Sequence, residues 1–240
     1  MQSNFKQIFL SLLLENNINL SPDSDKIAKF CQLYEILSDT NQKFNLTAIN
    51  TPEGVSVRHF CDCIKLERFI PQNSNVLDVG CGGGFPSLPL AIIRKDLKIT
   101  SLDSTAKKIE YVRNTASALR LDNITTVCAR AEEYAAIGRE KYDTCVSRAV
   151  ARMNILSELC IPFVKVGGLF IAMKSVSADE ELSQSSLAIE KLGGFVSSTN
   201  RFDLYEQSEI YTREICVIKK ESCTPLKYPR RFSEIKRNPL

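Results

Sequence analysis

The sequence contains no tryptophan, three methionines and a single histidine, His59, among its 240 residues. It also contains no uninterrupted apolar run approaching the roughly 18 residues typical of a membrane-spanning helix. The apolar stretch 8–14 is interrupted by Ser11, and no small-residue cleavage site follows it, so it is typical of an amphipathic helix rather than a signal peptide. We therefore expect a cytoplasmic protein without a membrane partner.

The cysteines do not form the patterns expected of a metal centre or a disulfide scaffold. There are nine of them, and the closest pair, Cys61 and Cys63, has neither C-x-x-C spacing nor a second pair beside it. With only one histidine in addition, the sequence predicts no metal site and a reducing compartment. Cys128 and Cys145 lie in apolar runs, and we expect both thiols to be buried.

The overall composition is that of an ordinary globular protein. Hydrophobic residues make up 44% and charged residues 25%, and 31 basic against 28 acidic side chains leave a net charge of +3. These values exclude a disordered chain, a collagen-like fibre and a membrane bundle. The length predicts one large domain or one domain with an appendage.

The hydrophobic pattern divides the chain at about residue 70. Residues 1–70 have helical periodicity over 5–14, 23–37 and 57–69, with Thr51 and Pro52 interrupting the pattern. From residue 71 to 240, strand and helix patterns alternate, which favours a parallel sheet covered on both faces. The predicted strands are 76–79, 99–102, 125–128, 143–146, 169–173 and 215–218, and the predicted helices are 86–94, 107–120, 154–164 and 177–192.

A glycine-rich turn follows the first predicted strand, in the segment 75–89 (NVLDVGCGGGFPSLP). Glycines at such a turn allow positive φ and close approach of a ligand to the backbone. The spacing does not match G-x-G-x-x-G of dinucleotide-binding proteins, and the Gly-Lys-Ser/Thr of a P-loop is absent. The remaining pattern, Asp78-x-Gly80-x-Gly82-x-Gly84, resembles the S-adenosylmethionine (SAM) loop of class I methyltransferases.

An acidic residue, Asp103, ends the second predicted strand, 23 residues after Gly80. A carboxylate at this end of a parallel sheet can accept hydrogen bonds from ribose hydroxyls. Asp103 could instead cap the following helix, although Ser104 and Thr105 are equally good capping residues.

Several further segments resemble one particular family. They are NLTAI (45–49), RHFCDCI (58–64), LDSTAKK (102–108), ARAEEY (129–134), YDTCVSRAVA (142–151) and YPR (228–230), in addition to the loop. Together they resemble the small-subunit ribosomal RNA methyltransferase G family, also called glucose-inhibited division protein B. The resemblance implies a class I α/β fold: a Rossmann-like, seven-stranded, mostly parallel sheet with a helical N-terminal extension over 1–70. It also implies methyl transfer from SAM to guanine N7 of 16S ribosomal RNA.

The resemblance implies a set of site residues. Gly80, Gly82 and Phe85 would surround the cofactor, with Asp103, Ser104 and Thr105 beside its ribose. Ala131 and Glu132 would frame its adenine. Arg148 matches a family position that belongs to the cofactor site and faces the substrate pocket. Arg58 and Arg148 would position the base. Cys81 and Ser87 depart from the family's usual loop, which has threonine and glycine there.

The reaction itself requires no acid–base residue. Guanine N7 carries an in-plane lone pair and no proton, so positioning in a polar pocket suffices. The N/D-P-P-Y segment expected for methylation of an exocyclic amine is absent, and Cys145 is a weak candidate for the nucleophile that pyrimidine C5 methylation needs. We therefore expect no catalytic residue in the acid–base sense.

Basic residues supply candidate RNA contacts. These are Lys107, Lys108, Arg113, Lys174 and the cations of the tail 219–240, which has seven Lys/Arg against two Glu. The modest net charge favours a ribosomal particle over naked RNA as substrate. Three alternatives stay open at this point: a methyltransferase for another acceptor, a ribosome-binding factor with a degenerate SAM site, and, least favoured, a dinucleotide oxidoreductase.

Overall fold

The computed structural model describes residues 2–148, 151–175 and 178–240. Its N-terminal part is helical, as predicted, and consists of α1 (Gln2–Glu15), α2 (Asp25–Asn41), α3 (Pro52–Gly54), a π-helix (Val55–Cys61), α4 (Asp62–Leu66) and a 3₁₀ turn (Glu67–Phe69). The last four run on without interruption. The Ser24 hydroxyl caps α2 by accepting from the Ile27 N–H.

The third helical segment begins earlier than the sequence pattern predicts. Thr51 and Pro52, predicted to interrupt the helical pattern, start the segment instead. The Thr51 hydroxyl accepts a hydrogen bond from the Gly54 N–H at 3.1 Å, and Pro52 occupies the first turn, where its missing N–H costs nothing.

Seven strands form one sheet in the order β3-β2-β1-β4-β5-β7-β6. Only β7 runs against its neighbours, so the sheet is mostly parallel and the predicted fold class is confirmed. All six predicted strands lie within observed ones; β6, which is largely exposed and polar, was not predicted. The strands are β1 (Asn75–Val79), β2 (Lys98–Asp103), β3 (Ile124–Cys128), β4 (Tyr142–Arg148), β5 (Val164–Lys174), β6 (Gly194–Glu206) and β7 (Glu209–Lys220).

The connecting helices are α5 (Ser87–Ile93), α6 (Ala106–Ala118), α7 (Ala131–Gly138), α8 (Met153–Cys160), α9 (Ala178–Lys191) and α10 (Phe232–Arg237). Helices α7 and α10 were not predicted. The helix predicted over 154–164 is shorter: α8 ends at Cys160, a 3₁₀ turn covers Ile161–Phe163, and residue 164 begins β5. Three residues of the predicted segments lie outside the described residues: residue 177 of the last predicted helix, and residues 149 and 150 of the family segment 142–151.

The N-terminal helices share a hydrophobic core with one face of the sheet. The buried rings of Phe9, Phe30 and Phe60 pack together at centroid distances of 4.9–5.6 Å, and Val76 and Val146 of the sheet belong to the same cluster. A second cluster fills the other face. Burial of these apolar surfaces holds the helical region against the sheet.

Helix α1 also contacts the outermost strand, β6. The side chain of Asn16 is fully buried; its amide donates to the Tyr205 carbonyl at 2.8 Å, and its Oδ1 accepts from the Tyr205 N–H at 2.9 Å. Asn16 thus pairs with the backbone of one β6 residue as a neighbouring strand would.

Two cysteine predictions have different outcomes. Cys145 is buried, as predicted. Cys128 is exposed, contrary to the prediction, because β3 is an edge strand of the sheet and its last residue faces solvent. Within the described ranges, no group of His, Cys, Asp and Glu side chains could hold a metal ion, and none of the helices there is long and apolar enough to cross a membrane.

Candidate functional site

A cavity of about 990 Å³ opens at the carboxyl ends of β1, β2, β4 and β5. This is the edge of an open α/β sheet at which ligands bind. The structure brings all the predicted site residues to it: the cavity is lined by Gly80, Gly82, Phe85, Asp103, Ser104, Thr105, Ala131, Glu132, Arg148 and Arg58.

The glycine loop forms one wall. Gly80 and Gly82 have φ values of 75° and 54°, which favour glycine. The N–H groups of Gly80 and Cys81 donate to the Leu102 carbonyl at 2.8 and 3.0 Å, which fixes the loop against the end of β2. A Cβ at Gly82 would meet only the Gly80 carbonyl, at 3.9 Å, so the protein leaves the space over this residue open.

Asp103 connects the glycine loop to the loop after β2. Its Oδ2 accepts from the Gly82 N–H at 3.0 Å and its Oδ1 from the Thr105 N–H at 2.9 Å. Because each carboxylate oxygen has a second lone pair, Asp103 retains capacity to accept from a ligand hydroxyl. The alternative that Asp103 caps the following helix is not what the structure shows. The N-cap residue of α6 is Thr105, and its side chain forms no capping bond.

Asp78, at the end of β1, lies beneath the loop and is fully buried. Its Oδ2 accepts from both the N–H and the hydroxyl of Ser87, the first residue of α5. Burial raises the pKa of Asp78 to about 7, although the bonds from Ser87 oppose the shift. Ser87, one of the departures from the family pattern, therefore has a structural partner in Asp78.

Ala131 and Glu132 begin α7, directly after β3. Phe232, at the start of α10, lines the cavity as well and was not predicted. The chain reaches this position because Arg230 binds the fully buried carboxylate of Glu158: Nε donates to Oε1 at 2.8 Å and Nη2 to Oε2 at 2.6 Å. No sequence pattern signals this long-range pairing.

Arg148, the last residue of β4, is held by contacts on several sides. Its Nη1 donates to the Arg58 carbonyl at 3.0 Å and to Asp62 Oδ2 at 3.4 Å, and its Nη2 donates to His59 Nδ1 at 3.1 Å. The guanidinium carbon lies 5.2 Å from the centre of the Phe85 ring. A guanidinium has five N–H bonds, so the Nε–H and one Nη2–H have no hydrogen-bond partner within the part of the chain that the structure describes.

His59 is fixed in one neutral form. Burial, together with the nearby Arg148 charge, lowers its pKa well below the usual value. Since arginine only donates, His59 Nδ1 is the acceptor, and Nε2–H therefore donates to the Thr47 hydroxyl at 2.9 Å. The imidazole stacks on Phe85 at a centroid distance of 4.5 Å.

Asp62 and Arg213 are among the charged cavity residues that were not predicted. Asp62 is buried between Arg148 and Arg213, at 3.4 and 3.8 Å; burial raises its pKa, and both arginines oppose the rise. Its position three residues after His59 on the same helical segment is a signal that could have identified it. Arg213 comes from β7, and no local pattern indicates it.

Arg58 reaches the site differently from expectation. Its backbone carbonyl contacts Arg148, whereas its guanidinium pairs with Glu206, with Nε and Oε2 2.9 Å apart, and lies 5.0 Å from the Tyr211 ring centre. The side chain of Arg58 is thus committed to the β6–β7 hairpin.

The predicted RNA contacts divide into two groups. Lys220 is 1% exposed and pairs with Glu140, and Arg230 binds Glu158, so the interpretation of these two as RNA contacts is wrong. Lys174 is largely buried and pairs with Glu181 at 2.6 Å. The exposed or half-exposed candidates are Lys107, Lys108, Arg113, Lys219, Lys227, Arg231, Lys236 and Arg237.

Comparison with solved structures supports the fold. A structure of TYW2 from P. horikoshii in complex with MeSAdo aligns with a TM-score of 0.56 at 12% identity, covering 68% of this chain and 62% of that one. TYW2 from M. jannaschii in complex with AdoMet aligns with a TM-score of 0.54 at 12% identity, covering 66% and 74%. At this identity the likeness concerns the fold alone.

Comparison at the sequence level is more specific. A family model described as rRNA small subunit methyltransferase G matches residues 26–210. A ribosomal RNA small subunit methyltransferase G from Clostridium botulinum (strain Loch Maree) is 42% identical over 229 residues, covering 94% of this chain and 95% of the relative. Another from Staphylococcus carnosus is 42% identical over 233 residues and 95% of each chain. The chain therefore belongs to the rRNA small subunit methyltransferase G family.

Proposed function

We propose that this chain transfers a methyl group from SAM to N7 of a guanine in 16S ribosomal RNA. The observation that carries the proposal is that the glycine loop, Asp103 and Arg148 line the same cavity at the carboxyl edge of the sheet. Membership of the family supports the choice of acceptor.

The residues of the cavity fit SAM. The open space over Gly82 admits close approach of a ligand to the loop backbone. Asp103 has lone pairs for ribose hydroxyls, and Ala131 and Glu132 border the region beyond β3 where an adenine would lie. Cys81 and Ser87 leave the cavity open: Cys81 is buried, and Ser87 bonds to Asp78. These features support a functional rather than a degenerate SAM site.

When bound, the cofactor would supply a methyl group attached to a positively charged sulfur. The N7 lone pair would form its bond to the methyl carbon, and the electron pair of the carbon–sulfur bond would go to the sulfur. No proton has to leave N7, so no general base is needed. The chain's one histidine has both nitrogens engaged and stays neutral. Arg148 has two N–H groups left to donate to the neighbouring guanine O6, which orients the base and leaves N7 free.

The acceptor in this proposal is 16S RNA within a ribosomal particle in the cytoplasm. Two basic residues of the tail, Lys220 and Arg230, are used inside the protein, which leaves fewer cations for a large naked RNA. The net charge of +3 is modest for a protein that binds RNA through phosphates alone.

The test combines SAM calorimetry with transfer assays. Purified protein is incubated with labelled SAM and either 16S RNA or small ribosomal subunits from cells lacking this enzyme, and the nucleosides are analysed by mass spectrometry. We expect 7-methylguanosine. A different methylated product would favour another acceptor, and absence of SAM binding would favour a ribosome-binding factor.

Two glycines provide a matched pair of variants. Gly82→Ala and Gly167→Ala each put a Cβ on a residue with positive φ, 54° and 88°, and neither Cβ meets a close atom. Only Gly82 lines the cavity. We therefore expect Gly82→Ala to weaken SAM binding strongly and Gly167→Ala to leave it near the original value.

A further inference from the structure

The loop between α2 and α3 forms part of the cavity lining through Leu46, Thr47 and Ile49. The side chain of Asn41, the last residue of α2, fixes the backbone of this loop. Its Oδ1 accepts from the N–H groups of Leu46 and Thr47 at 2.8 and 3.0 Å, and its amide donates to the Thr47 carbonyl at 2.9 Å. Both backbone groups of Thr47 are thus occupied, which gives this residue a fixed position at the cavity.

Thr47 lies in the part of the cavity that contains Arg148. A Cβ added at Gly83 would be 3.9 Å from the Leu46 Cβ, so the loop lies against the glycine loop. The Thr47 hydroxyl is 2.9 Å from His59 Nε2, and the other nitrogen of His59 binds Arg148. Thr47 is therefore connected, through one imidazole ring, to the residue proposed to orient the base.

The direction of each hydrogen bond at Thr47 follows from Arg148. Arginine can only donate, so His59 Nδ1 accepts and His59 Nε2–H donates to Thr47 Oγ1. Thr47 Oγ1 also accepts from the Ile49 N–H at 3.1 Å. A hydroxyl oxygen has two lone pairs and one proton, so both lone pairs are used and the group can act only as a donor. None of the described residues offers an acceptor to its proton.

A threonine that can only donate distinguishes guanine from adenine. Both bases have an acceptor at N7, but beside it guanine carries the acceptor O6 and adenine carries the N6 amino group, a donor. An ordinary threonine hydroxyl can rotate to serve either group. A hydroxyl whose lone pairs are both occupied can bond to O6, whereas it would face the amino protons of adenine with its own proton. Such an unpaired donor disfavours the wrong base.

We propose that the Thr47 hydroxyl donates a hydrogen bond to O6 of the target guanine and so selects guanine over adenine. The inference rests on the proposed function, since it takes a guanine as the methyl acceptor. The carbonyl oxygen O6 has two lone pairs, so it can accept from Thr47 and from Arg148 together. Asn41, Ile49 and His59 are then positioning residues, which hold Thr47 in place and fix the direction of its proton.

The first test combines a protein variant with a changed base. The target guanine is located as the 7-methylguanosine of the transfer assay, and small ribosomal subunits are reconstituted with 2-aminopurine at this position, which keeps N7 and lacks O6. Rates are measured at single turnover with excess enzyme, so that slow transfer is measurable. We expect Thr47→Val to slow transfer to guanine about fivefold more than transfer to 2-aminopurine, which corresponds to about 1 kcal/mol. Thr47→Ser, which keeps the hydroxyl, should behave like the original protein.

Thr51 provides a matched control. Its hydroxyl also accepts a backbone N–H at 3.1 Å, from Gly54, but Thr51 lies outside the cavity lining. Thr51→Val should therefore change transfer to both bases by the same factor. The same result for Thr47→Val would overturn the inference while leaving the proposed function intact. If Thr47→Val lowers the unfolding temperature, Thr47→Ala is measured in the same way, because it leaves room for a water that bonds to the donors of Ile49 and His59.

Cofactor binding provides the remaining comparison, because the methionine carboxylate of SAM also has acceptor oxygens. Calorimetry compares S-adenosylhomocysteine, which has this carboxylate, with 5′-methylthioadenosine, which lacks it. We expect Thr47→Val to leave both dissociation constants unchanged. Weaker binding of S-adenosylhomocysteine alone would assign the hydroxyl to the cofactor and overturn its assignment to the base. Absence of 7-methylguanosine with the original protein would overturn the proposed function and this inference with it. If 7-methylguanosine forms but Thr47→Val leaves the guanine-to-adenine ratio of transfer unchanged, only the inference is overturned.

Discussion

His59 accepts a hydrogen bond at Nδ1 from Arg148 Nη2, at 3.1 Å, while its other nitrogen binds Thr47. The arginine comes from the end of β4 and the histidine from the π-helix of the N-terminal region. The contact therefore fixes the direction of the guanidinium at the edge of the sheet through a residue that moves no proton.

Two variants separate the roles of the two His59 nitrogens. In His59→Asn the amide oxygen lies near the Nδ1 position and can accept from Arg148, whereas in His59→Gln the amide reaches the Nε2 position and can bind Thr47. If holding Arg148 is what matters, Asn retains more activity than Gln, by about 10-fold or more in kcat/KM, since hydrogen bonds to charged groups contribute about 1.5–3 kcal/mol. Both should retain measurable transfer. The reverse order would assign the role to the Thr47 contact.

The carboxylate of Asp103 should contribute directly to SAM affinity. Asp103→Asn replaces one of the two oxygens that accept from the Gly82 and Thr105 N–H groups by an NH2 donor, and we expect the dissociation constant for SAM, measured by calorimetry, to rise by about 10- to 100-fold. Asp122→Asn is the matched control, because Asp122 is exposed and precedes β3 at the opposite edge. Equal affinities of the two variants would remove Asp103 from the site.

Asp78 should make stability depend on pH. Its pKa is raised by burial from 3.8 to about 7, so between these values the unfolded chain loses a proton that the folded protein keeps. The protonated Asp78 carboxyl therefore contributes up to about 4 kcal/mol to the free energy of unfolding. This contribution is fully present below about pH 4 and is lost as the pH rises through about 7. Calorimetric unfolding of the original protein should therefore show a falling Tm from pH 4 to 8 relative to Asp78→Asn. Parallel curves would contradict the raised pKa.

Two adjacent tail arginines should behave differently. Arg230→Ala removes the charged partner of the buried Glu158 carboxylate and leaves it only the backbone N–H of residue 230, which costs about 3–5 kcal/mol and lowers Tm by roughly 10 °C. Arg231→Ala removes an exposed side chain and should leave Tm within about 1 °C. If Arg231 binds phosphate, its variant alone gives a shallower salt dependence of RNA binding at full stability. Similar thermal effects would show that the Glu158 pair is unimportant.

Local sequence patterns predicted most of the fold and brought several of the residues that line the cavity to attention. Gly80, Gly82 and Asp103 are identified by spacing along consecutive elements, and the structure places them at one cavity. Strand β6 was missed because its exposed face carries polar side chains instead of an apolar alternation.

The rest of the site depends on contacts between distant parts of the chain. Arg213 reaches Asp62 from β7, and Phe232 reaches the cavity through the pairing of Arg230 with Glu158, which is 72 residues away. The composition of the basic tail does not show whether an arginine in it is exposed to solvent or pairs with a buried carboxylate. Local sequence therefore gave the wrong role for Arg230 and Lys220, and only the three-dimensional packing distinguishes the two cases.

The pairing of Asn16 with Tyr205 has a consequence for self-association. An open strand at the border of a sheet is a template on which another polypeptide can add. Here the Asn16 side chain, directly after the first helix, already occupies the N–H and the carbonyl of Tyr205, so an incoming chain cannot pair with β6 at this residue. Without Asn16, both backbone groups of Tyr205 would be open to an added strand.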